Sequence, residues 1–253
     1  MDGGAVSGED GILMSDVLVI AIDGPSGSGK SSVARGVARA LGLAYLDTGA
    51  MYRAATWWCR DRGLDLDDGP AVTRAVAQMD LVLGLDPTAP TVRVSGVDVG
   101  EAIRRPEISA AVSKIATNLD VRADLVARQQ ALVDAERRGG FSTGRGVVAE
   151  GRDITTVVAP EADVRLLLTA SAATRVARRA KEVHGDDSTE AMAATHDQVL
   201  RRDSDDSTVV EFHQAAPGVV TVDSTDLDLP QTIGAVLDLV TQGTGRRATG
   251  PQA

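Results

Sequence analysis

Residues 17–32, VLVIAIDGPSGSGKSS, restrict the fold of this chain more than any other stretch. The segment 17–23 is an uninterrupted β-branched, apolar run, the pattern of a strand covered on both faces, as parallel strands in α/β proteins are. Strand cannot continue through the glycines after it. Gly24, Gly27 and Gly29 allow backbone angles closed to other residues and let peptide N–H groups approach a ligand with no Cβ in the way. From Lys30 the period changes: Val33, Val37, Ala38 and Leu41 fall on one face of a helix that Gly42 ends. Strand, glycine turn and helix N-terminus form the context in which G-x-x-x-x-G-K-[ST] means phosphate binding, and Gly24, Gly29, Lys30 and Ser31 fit that spacing.

Charge supplies the chemistry. The loop amides and the helix dipole face a polyphosphate, Lys30 bridges its outer phosphates, and the Ser31 hydroxyl is a ligand for Mg²⁺. The whole loop, Gly24, Pro25, Ser26, Gly27, Ser28, Gly29, Lys30, Ser31 and Ser32, is the candidate cradle for a nucleoside triphosphate.

At 253 residues and 43% hydrophobic content, the chain is long enough for one full core, with or without an insert. A net charge of −10 and only 2% aromatic residues argue against nucleic acid as a partner. Cys59 is alone, which excludes a disulfide framework and fits a reducing cytoplasm. No apolar run reaches the ~18 residues of a membrane span. Residues 1–16 lack a basic segment and a long apolar core, so they read as a disordered leader rather than a secretory signal, and residues 243–253 read as a disordered tail.

Further strands are expected at 43–46, 146–149, 164–169 and 219–222, and helices at 50–62, 121–138, 172–183, 191–202 and 230–241. Alternation of this kind indicates a central parallel sheet flanked by helices. Residues 81–105 break the rhythm with short alternating runs at 81–83, 91–94 and 97–99 between Pro and Gly turns, the pattern of a small antiparallel insert. A polar, glycine-containing stretch at 182–191 lies between two Arg-bearing helical segments and suits a flap.

Ligands bind open α/β sheets at the ends of their strands. DTGAMYR follows the strand at 43–46: Asp47 is a candidate Mg²⁺ ligand, Thr48 and Tyr52 offer hydroxyls, and Arg53 suits a phosphate. Taken singly, Asp47 and Thr48 also read as a helix cap and Arg53 as a partner for Asp47, but their coincidence with EGRD at two strand ends favours a shared function. EGRD follows the strand at 146–149. Glu150 is placed to back the metal, Arg152 to hold a phosphate, and Asp153 to accept from an exocyclic amine of the kind cytosine carries. The guanine-specificity motif N-K-x-D, which a switch NTPase would need, is absent from the sequence.

Four segments, IDGPSGSGKSS, LDTGAMYR, EGRDI and RRDSDDS, occur in this order within roughly residues 17 to 240 and together resemble the bacterial cytidylate kinases. The glycine loop is shared with many kinases, whereas D-[TS]-G-A-x-Y-R followed after an insert by G-R-D is far more specific. The resemblance implies the α/β P-loop fold of nucleoside monophosphate kinases over residues 17–242. Its parts would be a central parallel sheet, a small antiparallel NMP-binding insert at about 80–115 and a short lid at about 175–190. It implies a cytoplasmic monomer using ATP and Mg²⁺ to convert CMP and dCMP to CDP and dCDP. Thr48, Tyr52, Arg53 and Arg152 would surround the acceptor phosphate, and Ser113, Arg122 and Asp153 would face the cytosine. Arg202 and Asp206 would hold the ribose, Arg104 would help close the insert, and Arg175, Arg178 and Arg179 would join Lys30 and Arg152 as catalytic cations. One position departs from the family pattern R-R-D-x-x-D-S-x-R: Val209 stands where an arginine is usual. Loss of such a charge-assisted bond is worth about 1.5–3 kcal/mol, roughly 10- to 150-fold in binding. The residues also admit a kinase for UMP or another small acceptor, and a nucleotide-binding switch without kinase activity.

No strong base is required if the nucleophile is a phosphate oxygen, because catalysis then reduces to alignment and charge neutralisation. A chain with three His, one Cys and 23 Arg is suited to that.

Overall fold

The computed structural model describes residues 17–246 apart from Asp187, and the side chains of His184, Asp197, Gln198, Leu200 and Arg202 lie outside that description. The expected leader, and the expected tail from residue 247 onward, lie outside the described residues. The opening apolar run forms strand β1 (Leu18–Asp23), buried along its whole length. Its pleat serves two layers: Leu18, Ile20 and Ile22 enter one apolar cluster, and Val19 and Ala21 enter another on the opposite face. Full burial of a large aliphatic side chain stabilises by about 1.5–3 kcal/mol, which is why an unbroken apolar run belongs in the middle of a sheet.

Helix α1 (Lys30–Leu41) begins after Gly29 and ends at Gly42, both in the left-handed conformation. Strand β2 (Ala44–Asp47) runs directly into α2 (Thr48–Asp61), whose first turn is capped by the Asp47 carboxylate. Helix α3 (Gly69–Ala77) starts at an Asp68 cap. Next come β3 (Leu81–Gly84), β4 (Thr91–Val94) and β5 (Val97–Asp98), an antiparallel three-stranded sheet in that order. A 3-10 turn at Ala102–Arg104 leads to α4 (Pro106–Ala116) and α5 (Leu119–Arg137). Strand β6 (Gly146–Gly151) is followed by a π-helical turn at Ile154–Val158 and β7 (Val164–Thr169). Helices α6 (Ala172–His184) and α7 (Thr189–Asp206), strand β8 (Val220–Asp223) and α8 (Leu229–Thr244) complete the chain.

The main sheet has the order β2-β6-β1-β7-β8 and is parallel throughout. Helices α1 and α8 cover one face through Val33, Val37, Val236 and Val240. Helix α5 and the π-helical turn cover the other through Val133, Ile154 and Val158. A third cluster joins α2, α3, α4, α5 and the small sheet around Trp58, Val76, Val94, Ile115 and Leu125. Helix α5 belongs to both of the last two clusters, so it ties the small sheet's surroundings to the main sheet.

Expectation and structure differ at several places, among them the end of α8, which runs to Thr244 inside the expected tail, and the end of α7, which runs to Asp206 rather than 202. The strand expected at 146–149 continues to Gly151, so Glu150 is a strand residue. Helix α3 is not among the expected helices although its Asp-Gly-Pro start is a cap signal, and neither is α4, which Pro106 opens. The stretch expected as a flap at 182–191 is shorter, because α6 runs to His184 and α7 begins at Thr189.

Candidate active site

Strand register builds the floor of the site. Parallel pairing sets Asp47 beside Glu150, so two carboxylates stand together at the C-terminal ends of adjacent strands, while Asp23, paired with Gly151, ends β1 on the opposite face of the sheet. The glycine loop lies against its surroundings: a Cβ on Gly24 would stand 2.2 Å from the Leu168 carbonyl oxygen, and one on Gly27, whose φ is +76°, 2.4 Å from that of Arg175. Only glycine fits either place. Lys30 Nζ donates to the Pro25 carbonyl at 3.2 Å, and Ser31 Oγ donates to Glu150 Oε1 at 2.6 Å.

A cavity of about 420 Å³ opens above these strand ends. The loop contributes Ser26, Gly27, Gly29, Lys30, Ser31 and Ser32 to one end of the lining. Asp47, Thr48, Tyr52 and Arg53 enter from the start of α2, with Arg104 from the 3-10 turn. Arg122 of α5, the segment Glu150–Asp153, Arg179 of α6 and Asp206 of α7 complete the predicted residues that line it. Gly24, Pro25 and Ser28 support the loop without reaching the cavity wall. Helix α4 presents Ser109, Val112 and Ala116, and Ser113 sits at the edge of that face, half-buried. The Arg202 side chain lies outside the described residues. Val209 is half-buried, and its neighbour Val210 lines the cavity.

Charge is unevenly distributed over the floor. Asp47 caps the Ala50 amide at 2.8 Å and pairs with Arg53 Nη2 at 2.8 Å, so both of its structural readings hold. Burial alone would raise its pKa; Arg53, the Ala50 amide and Arg104 outweigh that and hold it below the usual value. Glu150 goes the other way: burial, then the neighbouring Asp47 charge, lift it above the usual value against Lys30, Ser31 and Arg53. Tyr45 OH also donates to Glu150 Oε1 at 3.2 Å, and Thr48 Oγ1 donates to the Glu150 carbonyl at 2.8 Å.

Around the other end, Arg122 Nη2 is bonded to Asp153 Oδ2. Burial raises the Asp153 pKa, Arg122 opposes the rise and Asp23 adds to it. Burial, then the Asp153 charge, push the Tyr52 phenol up to about 12, and the buried Gln129 amide lies next to it. Asp23, to which the sequence assigns no role, accepts from the Ile154 amide at 2.8 Å, the Thr155 amide at 2.9 Å and Thr155 Oγ1 at 2.6 Å. It therefore fixes the turn that carries Arg152 and Asp153.

The three arginines of α6 divide. Arg179 reaches the cavity and pairs with Glu182 at 2.8 Å. Arg178 instead holds the carbonyls of Ser28 (3.2 Å), Ser224 (2.7 Å) and Leu227 (3.1 Å). Arg175 is buried away from the cavity, bonded to the Ser26 carbonyl at 3.0 Å and to Asp203. Both brace the loop from behind. Arg152 Nη1 donates to the Gly24 carbonyl, its Nε to Asp206 at 3.2 Å, and its guanidinium stands 4.7 Å from the Phe212 ring centroid.

Such a cleft, with an amide-and-lysine cradle at one end and arginines around the other, suits transfer between two anionic ligands. The family model described as "Cytidylate kinase" matches residues 20–242. A cytidylate kinase of Cutibacterium acnes is 52% identical over 230 residues, covering 90% of this chain and 98% of that one. One of Rhodococcus jostii is 44% identical over 239 residues, 92% and 99% of the two chains. One of Streptomyces avermitilis is 42% identical over 224 residues, 88% and 92% of the two chains.

Proposed function

The chain belongs to the cytidylate kinase family, and on that premise we propose how its cleft moves a phosphoryl group from ATP to CMP or dCMP. The enzyme is a (d)CMP kinase, and its acceptor is a phosphate oxygen that needs no general base. The observation that carries the reading is one cavity lined both by the Lys30 loop and by Arg53, Arg104, Arg122 and Arg152. The loop residues 24–32 cradle the ATP phosphates, and Lys30 follows the moving phosphoryl group as a compact charge. Thr48, Tyr52, Arg53 and Arg152 surround the acceptor phosphate, and Asp153, oriented by Arg122, accepts from the cytosine amine, with Ser113 beside it. Asp206, with Arg202, holds the ribose. Arg104 helps close the insert, taken as residues 80–115, and Arg179 acts from the lid, taken as 175–190, in a domain of 17–242. Arg175 and Arg178 serve transfer by bracing the loop.

Mg²⁺ fits the floor. Two buried carboxylates stand side by side there, and the one at Glu150 is held above its usual pKa by burial and by its neighbour, a conflict that a cation relieves. Ser31, Asp47 and Glu150 offer only hard oxygen donors, enough for an ion that keeps water and phosphate ligands as well. When bound, the ion neutralises charge between the outer phosphates. The resemblance to bacterial cytidylate kinases supports a cytoplasmic monomer without membrane partners, and the acidic balance of the chain speaks against nucleic acid. Among the described residues no helix is long and apolar enough to cross a membrane.

The test is ADP release from the purified chain with Mg·ATP and each nucleoside monophosphate in turn. Strong stimulation by CMP and dCMP and little by AMP or GMP is expected, and UMP in the same series measures base discrimination. Stimulation by none of them overturns the assignment.

A further inference from the structure

Asp203 is buried at 3% exposure in the last turns of α7 and does not line the cavity, yet three donors from three distant segments converge on its carboxylate. The Ser26 amide of the glycine loop donates to Oδ1 at 2.9 Å, and Arg152 Nη2 reaches the same oxygen at 3.4 Å. Arg175 Nη1 bonds Oδ2 while also holding the Ser26 carbonyl, so Ser26 is gripped through both its amide and its carbonyl. With Asp206 taking Arg152 Nε, two guanidiniums and two carboxylates are joined in one network.

We propose that Asp203 is a positioning residue for phosphoryl transfer: it sets the Ser26 amide of the ATP loop and the Arg152 guanidinium on the acceptor side from one carboxylate. The physical reason is that a carboxylate at this point is the shared acceptor of both. Without it the Ser26 amide turns from its fixed direction, and Arg152, still tethered to Asp206 and Gly24, loses the contact that fixes the second edge of its fork. The two halves of the cleft then lose their common reference, although every residue that touches a nucleotide is still present.

The proposal rests on the kinase reading above, and the test separates the two. Turnover with Mg·ATP and CMP is measured for the wild-type chain, Asp203→Asn, Arg152→Ala and the double variant, with ATP affinity from equilibrium titration. The Ser26 amide resonance is followed in ¹⁵N-labelled wild-type and Asp203→Asn protein. The expected result is a kcat loss of roughly 10- to 100-fold for Asp203→Asn, with ATP affinity within about threefold and a shifted Ser26 resonance. The double variant should lose less than the product of the two single losses, since part of the effect of Asp203 passes through Arg152 and part through Ser26. Losses that multiply, wild-type kcat in Asp203→Asn, or an unmoved Ser26 resonance overturn the proposal. If Asp203→Asn does not fold, Asp203→Glu keeps the charge and displaces it by one methylene. A several-fold kcat loss at near wild-type melting temperature then supports the proposal, and wild-type kcat overturns it. A wild-type chain that does not turn over CMP sinks the acceptor assignment instead, and the Ser26 resonance still decides the role of Asp203.

Discussion

Lys30 is one of three lysines in a chain with 23 arginines, and its place reflects the difference between the two cations. A forked guanidinium holds a fixed oxyanion pair, whereas an ammonium on a flexible stem tracks a phosphoryl group as it moves. Lys30→Ala should lower kcat by roughly 10²–10³ with the fold retained, because its side chain takes no part in the apolar clusters that hold the sheet. Turnover near wild type would remove Lys30 from the transfer step. Glu150 presents the opposite balance. A folded-state pKa above the usual value means that the ionised form at neutral pH costs stability in the empty cleft. Glu150→Gln keeps an acceptor for Ser31 and Tyr45 and removes the repulsion from Asp47. Its ligand-free melting temperature should therefore equal or exceed wild type by up to about 4 °C. The Mg²⁺ concentration for half-maximal turnover should rise at least about tenfold. A clear drop in melting temperature would show that the carboxylate stabilises the empty protein.

At the level of elements, the glycine loop is shaped as much by β7 and α6 beneath it as by the ligand above. A Cβ at Gly24 meets backbone, which cannot swing aside as a side chain does. Gly24→Ala should cost about 1–3 kcal/mol in urea unfolding and weaken ATP binding. Gly234, inside α8 with nothing within 4 Å of the position a Cβ would take, should behave oppositely: Gly234→Ala gains about 0.5–1 kcal/mol with unchanged kinetics. Loss of stability at Gly234, or none at Gly24, would contradict the packing. The same contrast between local and distant neighbours separates the legible parts of the sequence from the rest. The strands at 18–23, 164–169 and 220–223 and the helices after them carry strong local periods, so their placement follows from neighbours in sequence. Helix α4 lies beyond an antiparallel run that already accounted for the segment, and its start rests on one proline. Asp23 and Asp203 stand inside the segments IDGPSGSGKSS and RRDSDDS, yet their roles are not legible there: Asp23 holds the amides of Ile154 and Thr155, 131–132 residues away, and Asp203 holds that of Ser26, 177 residues away. Asp47, Glu150 and Arg53 are legible because each sits at the end of a recognisable strand or on the helix that comes next.

Across the whole molecule, two ligand sites share one cavity and are held by elements that also hold each other. Helix α5 reaches from the main sheet to the cluster around the small sheet, and α7 places Asp206 in the cavity while Asp203 grips the loop. Ordering the loop around ATP therefore removes part of the cost of ordering the acceptor side, and by linkage the reverse holds equally. Each ligand alone at ~100 times its dissociation constant should stabilise by about 2.7 kcal/mol, which for a chain of this length is roughly 5–10 °C in melting temperature. CMP together with an ATP analogue that cannot transfer its phosphoryl group should raise the melting temperature by more than the two separate shifts combined. The affinity for CMP should tighten by the same factor as that for the analogue. Shifts that merely add would mean that the two ends of the cleft bind independently, and that the shared carboxylates and α5 transmit nothing between them.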